Sequence, residues 1–121
     1  MYGTKKDLSG LDLGNCVLSM ADLSFCKLQR TVFISSTLSK CCLRNANMQH
    51  TNCNQANLVG ADLRNADLRY CHLCHADLMA ANLKGAIIDK TTLWNGATLR
   101  NVQGLTDEIR LLIKRGGGIV D

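Results

Sequence analysis

A leucine returns every fifth residue through the middle of this chain, at Leu58, Leu63, Leu68, Leu73, Leu78 and Leu83. Two places before each stands a small residue: Ala56, Ala61, Ala66, Cys71, Ala76 and Ala81. A helix repeats every ~3.6 residues and a strand every ~2, so a period of five belongs to neither. The same phase runs backwards through Cys53, Met48, Leu43, Leu38, Phe33, Leu28, Leu23, Leu18, Leu13 and Leu8, and forwards through Ile88 and Leu93. From Cys16 to Thr91 the small slot holds only Ala, Cys, Ser or Thr; Lys6 and Leu11 depart from it at the start. Asp or Asn often stands between, as at Asp7, Asp12, Asp22, Asn47, Asp62, Asp67, Asp77 and Asn82. Each unit is [small]-[Asp/Asn]-[Leu]-x-x, too short to bury its leucine alone, so the units must stack.

This phased pattern closely resembles the pentapeptide-repeat family, whose motif is A(D/N)LXX. The resemblance covers about three quarters of the chain and implies an all-β fold. Family members form a right-handed quadrilateral β-helix, with four pentads to a coil. The residues suit such a tube: large and small apolar groups fill its bore, and Asp or Asn bonds the backbone at each corner. Proline, which has no N–H to give a ladder, is absent from all 121 residues. A weaker resemblance links DLSGLDLGNCVLSMADLSFCKL to the repeat tail of eukaryotic potassium-channel-tetramerisation (BTB/POZ) proteins. There, such a tail follows an adaptor that engages cullin-3 ligases.

One domain is expected over 1–121, with the β-helix at 6–95, a phase slip and last turn at 96–105, and a capping helix at 106–115. The slip is placed just after Leu93, which leaves Trp94 in an outward slot. Thr106 is a good N-cap, Asp107 and Glu108 are acids in the first turn, and Lys114, Arg115 and Gly116 close the helix. Its apolar stripe, Ile109, Leu112 and Ile113, either covers the open end of the last coil or forms a seam with a second copy. Dimerisation through the C-terminal end, known in some family members, implies a homodimer. At the other end the expectation is that either Lys5 and Lys6 alone blunt the first coil or the chain is part of a longer protein.

Catalytic chemistry finds no footing. His50, His72 and His75 fall in outward slots without a serine or acid motif, and no glycine-rich phosphate loop is present. Cys71-His72-Leu73-Cys74-His75 fits the C-x-x-C-H haem signature, but the register turns Cys71 inward and Cys74 outward. Zinc on His72, Cys74 and His75 lacks a fourth ligand on the neighbouring coils. No metal, cofactor or enzymatic activity is therefore expected. The seven cysteines read as small buried thiols, with Cys42 and Cys74 outward. A cytoplasmic location is expected, since Met1–Asp12 has no signal-peptide core and no apolar run suits a membrane.

Function then rests on surfaces. Taking every twentieth residue stacks Arg44, Arg64 and Lys84 in a basic ladder, beside Arg69 and Tyr70. A second surface gathers Val32, Ile34 and Trp94. The reading is a non-catalytic, rigid module that binds a protein. Alternatives are a rod that binds nucleic acid through the basic side, and a gyrase-binding mimic of DNA, as in some family members. The formal charge of +4 opposes the mimic.

Overall fold

The structure, a computed structural model, describes residues 6–121, so Lys5 lies outside it. Pentads stack as a four-sided, right-handed parallel β-helix. Parallel bridges from Asp7–Lys27 to Asp67–Ile87 join residues twenty apart on all four sides. The pentad Ala61–Asn65 shows how its backbone is satisfied. Asp62 N–H reaches back to Cys41 O at 2.9 Å, while Leu63 and Asn65 N–H reach forward to Asn82 O and Lys84 O at 2.8 and 3.1 Å. Ala61 N–H closes the preceding corner on Leu58 O at 3.0 Å. Arg64 N–H, which faces no strand, is bound by Asp62 Oδ1 at 3.2 Å. All five donors are paired, as a ladder shielded from water requires. This also explains the Asp or Asn of the motif: its carboxylate or amide oxygen serves the N–H two places on.

The fifth place of the pentad turns the corner in the left-handed region. Phe25, Arg30, Asn45, His50, Tyr70 and Ala80 all have φ near +60°. No pentad from Gly10 to Gly85 puts Val, Ile or Thr in that place, because a β-branched side chain clashes there.

Inside, the centres from Leu28 to Leu83 and the small residues from Cys26 to Ala81 are buried. Where the small slot holds a hydroxyl, that group donates to a carbonyl of the preceding coil. Thr31 meets Leu8 O at 2.7 Å, Thr51 meets Leu28 O at 2.8 Å, and Thr92 meets Leu68 O at 2.8 Å. At the N-terminal end Leu8, Leu13 and Leu18 are only half-buried.

The phase slip is not where the sequence placed it. Ladder spacing changes to twenty-one at His72–Leu93 and stays there through Asp77–Thr98 and Asn82–Gln103. The extra residue therefore lies within 88–91, after Ile87 and before Thr92. Leu93 turns out to solvent and Trp94 becomes the buried centre, 1% exposed. The pentads resume as Thr92–Gly96 and Ala97–Asn101. Thr91 holds the widened corner, its Oγ1 accepting from Tyr70 N–H at 2.9 Å and donating to Asp89.

The C-terminal end is closed by the chain itself. Strand β1, Thr98–Leu99, pairs in parallel with β2, Ile119–Val120, and helix α1, Asp107–Arg115, lies between them in sequence. Thr106 caps α1, accepting from Ile109 N–H at 3.2 Å. Ile113 is fully buried, and Ile109 and Leu112 are half-buried, so the apolar stripe lies on its own tube. The turn after α1 is tight: a Cβ on Gly118 would stand 2.5 Å from Ile113 Cγ2 and 3.4 Å from Trp94 Cβ. Trp94 is thus roofed by the C-terminal segment. Its Nε1 has no hydrogen-bond partner.

Candidate interaction surfaces

The four sides of the tube can be named by the residues inside them. The first encloses Leu8, Leu28, Met48, Leu68 and Ile88; the second Leu13, Phe33, Cys53, Leu73 and Trp94. The third encloses Leu18, Leu38, Leu58, Leu78 and Leu99; the fourth Leu23, Leu43, Leu63 and Leu83. Charge collects on the fourth and first sides and the corner beyond them. Lys27, Arg30, Arg44, Arg64, Arg69, Lys84 and Lys90 are there, with Asp22, Asp62, Asp67 and Asp89.

The basic ladder is stacked as expected, but half of it is already engaged. Arg64 forks onto Asp62, Nε to Oδ1 at 2.8 Å and Nη2 to Oδ2 at 2.6 Å. Arg69 does the same to Asp67, at 2.9 and 2.6 Å. The hydrogen bonds from Arg64 and Arg69 hold both carboxyls below the usual carboxylate range. In the same place relative to Arg44 stands Cys42, and relative to Lys84 stands Asn82, so neither has such a fork. Two residues upstream decide whether a ladder cation is free. Asp62 and Asp67 are legible in the sequence as counter-charges of this face, but the forks that engage Arg64 and Arg69 are seen only in the structure.

Along the corner between the first and second sides stand Arg30, His50, Tyr70 and Lys90. His50 and Tyr70 stack ring on ring, centroids 4.6 Å apart and planes 6° apart. Both corner residues have φ near +60°, which aims successive side chains the same way. Their twenty-residue spacing was legible; the stacking was not.

The second side is different in kind. Beyond Asp12 its outward residues are Val32, Ile34, Asn52, Asn54, His72, Cys74, Leu93 and Asn95, none of them an acid, lysine or arginine. Val32 is half-buried, and Ile34 and Leu93 are exposed, Leu93 at 44%. Trp94, expected on this surface, is inside it, and Leu93 takes the outward place because the extra residue comes earlier.

Within the bore the thiols are closer than the sequence suggested. Cys53, a pentad centre, lies beside Cys71, a small-slot residue on the next coil, and this neighbour together with burial raises the Cys71 thiol. The two are eighteen residues apart, so the twenty-residue stack does not by itself bring them together. Burial pushes the Cys41 thiol up to about 12, with Cys53 also acting on it. All seven cysteines are free, and Cys16, Cys42 and Cys74 are the half-exposed ones. Among the described residues no cluster of three His, Cys, Asp or Glu is placed to hold a metal ion. No helix among the described residues is long and apolar enough to cross a membrane.

Comparison with known proteins follows the fold. The sequence model for pentapeptide repeats matches in eight copies, over residues 7–45, 16–55 and 56–95. A crystal structure of a pentapeptide repeat protein from the Arabidopsis thaliana thylakoid lumen superposes with a TM-score of 0.88. It is 26% identical, over 95% of this chain and 79% of that one. A pentapeptide repeat protein of the cyanobacterium Cyanothece 51142 is 24% identical over 96% of this chain and 84% of its own, with a TM-score of 0.68. That second likeness speaks to the fold alone. No curated protein sequence matches.

Proposed function

Because this chain belongs to the pentapeptide-repeat family, we propose that it is a non-catalytic rod that binds a protein through one of its long sides. The observation that carries this reading is the segregation of charge. Two sides and a corner hold most of the ionic groups, while the second side holds uncharged polar and apolar ones. Interface centres are depleted of charge in the same way. The tube supports it mechanically, since its backbone donors are paired from coil to coil and little entropy remains to be lost on docking. Free thiols suit a reducing compartment such as the cytoplasm.

The basic side is a poorer platform for nucleic acid than its composition suggests. Arg64 and Arg69 spend their guanidinium groups on Asp62 and Asp67, which also places carboxylates inside the strip. A DNA mimic needs carboxylates where Arg44 and Lys84 stand. The test is direct. Proximity labelling around the full chain in its own cells should return a protein, and the purified pair should bind saturably. Duplex DNA and RNA should bind weakly and be lost steeply between about 0.05 and 0.2 M salt. Tight duplex binding with no protein partner would replace this reading.

A further inference from the structure

We infer that the second side of the tube, with the stacked His50 and Tyr70 at its corner, docks a folded protein surface that is apolar at its centre and carries carboxylates at its rim. This rests on the protein-binding reading above and says where the contact is made and with what chemistry.

The centre of the patch is apolar and uncharged. Val32, Ile34 and Leu93 stand among Asn52, Asn54, His72 and Asn95. Tyr70 is 47% exposed at its edge and is held by the His50 ring, so it loses little freedom when covered. A rigid aromatic beside an uncharged field is how interface anchors are built.

The backbone excludes an extended peptide. Asn52, His72 and Leu93 N–H are bound to Thr31 O, Thr51 O and Cys71 O at 3.0, 2.9 and 3.0 Å. No free strand edge runs along this side, so a peptide cannot add to it as a strand. Contact must come from the side chains of a partner that already has a shape.

Charge then selects among folded partners. Arg30 and Lys90 end the corner column three coils apart, on the order of 14 Å. Arg64 and Arg69 make the ion pairs seen among the described residues, and Arg30 and Lys90 make none. A second copy docked antiparallel, His50 to Tyr70, would set Arg30 against Lys90 and be repelled. A duplex presents a phosphate on each strand every ~3.4 Å along its axis, and cations so far apart around a neutral field meet few of them. Acidic side chains at the rim of a protein interface match both cations and let the neutral centre be buried.

The experiment places a photo-crosslinking benzoylphenylalanine at Leu93 or at Ile34 in the full chain, and at Val59 on the third side as the comparison. After irradiation in the cells of origin, the Leu93 and Ile34 probes should join one protein, through a peptide on a folded surface rich in Asp and Glu. The Val59 probe should not. Reversing both rim charges, Arg30→Glu with Lys90→Glu, should lower that yield at least tenfold, and Arg30→Lys should keep it. A thermal melt of each variant confirms that the rod is intact. Crosslinking only from Val59 would overturn this surface and leave the protein-binding reading standing. A product with a second copy or with nucleic acid would overturn the partner chemistry, as would a yield indifferent to charge reversal. No protein product from any side would overturn both readings together.

Discussion

Leu93 lies across the ladder from His72, twenty-one residues away, where every bridge up to Asp67–Ile87 spans twenty. That single step sets the phase of the whole C-terminal end. It turns Leu93 out, brings Trp94 in, and aligns Leu99 over Leu78 so that α1 and β2 can close the tube. The extra residue is absorbed by a corner, where Thr91 supplies a hydroxyl in place of a backbone carbonyl for Tyr70 N–H. A bulge of this kind adds a residue without breaking the pairing beyond it.

Deleting Thr91 should therefore be tolerated. The corner would become an ordinary pentad and Thr92, Leu93 and Trp94 would keep their places. The loss should be no more than about 2 kcal/mol, the scale of its side-chain hydrogen bonds. Deleting Asn95 instead puts Ala97 and Leu99 out of phase and should cost at least about 3–5 kcal/mol, the scale of losing a large core residue. Denaturant unfolding followed by the fluorescence of Trp94 measures both. Similar losses would refute the placement of the slip.

The left-handed corner makes a prediction of opposite signs at one residue. Ala80 has φ +61° and is exposed. Ala80→Gly should stabilise the rod by roughly 1 kcal/mol by removing the Cβ clash. Ala80→Val should destabilise it by about 1–3 kcal/mol. Melting temperatures that move together would contradict the corner assignment.

Crowding inside the bore should be costly. Ala66 is fully buried in the small slot, and Ala66→Leu should cost about 3 kcal/mol. Arg44→Leu, on the outer surface, should change stability by less than about 0.5 kcal/mol. Equal melts for the Ala66 and Arg44 variants would undo the inward–outward register.

Acid should weaken the rod through its forks. Arg69 holds the Asp67 carboxyl below its usual range, so the stabilisation is complete above about pH 4, the unfolded value, and is lost as pH falls through the lower folded value. Arg69 is 42% exposed, so solvent screens the pair and Asp67→Asn should cost at most about 1 kcal/mol at neutral pH. Asn still serves the turn, as Asn47 does for Gln49 N–H. Between pH 4 and 2 the variant should lose less stability than the parent chain, and the two should converge. Parallel curves over that range would show that the fork contributes nothing.

Alkylation should sort the thiols by depth. In the native rod at about pH 8, Cys16, Cys42 and Cys74 should react first, because they are half-exposed. Cys26, Cys41, Cys53 and Cys71 should wait for unfolding, with burial holding Cys26 and Cys41 protonated. Early labelling of Cys53 or Cys71 in the native state would mean that the bore opens.

The sequence determined the tube through its resemblance to the pentapeptide-repeat family, while the five-residue period by itself excluded an ordinary helix or strand. It also determined helix α1, through Thr106, the acids that follow and the stripe ending at Ile113, and left open whether that stripe covers the tube or a second copy. Tertiary structure decided the register past Ala86. Thr91-Thr92-Leu93-Trp94 satisfies the motif in two phases, with Thr91 and Leu93 inside or with Thr92 and Trp94 inside. Only the stack selects between them, since Ala97 and Leu99 must rise over Ala76 and Leu78, and a tryptophan fills the space beneath the C-terminal turn. It likewise decided which cations are free. Charge is written in the sequence, but whether Arg64 or Arg44 is spent depends on whether the residue two places back is a carboxylate on the same side of the tube.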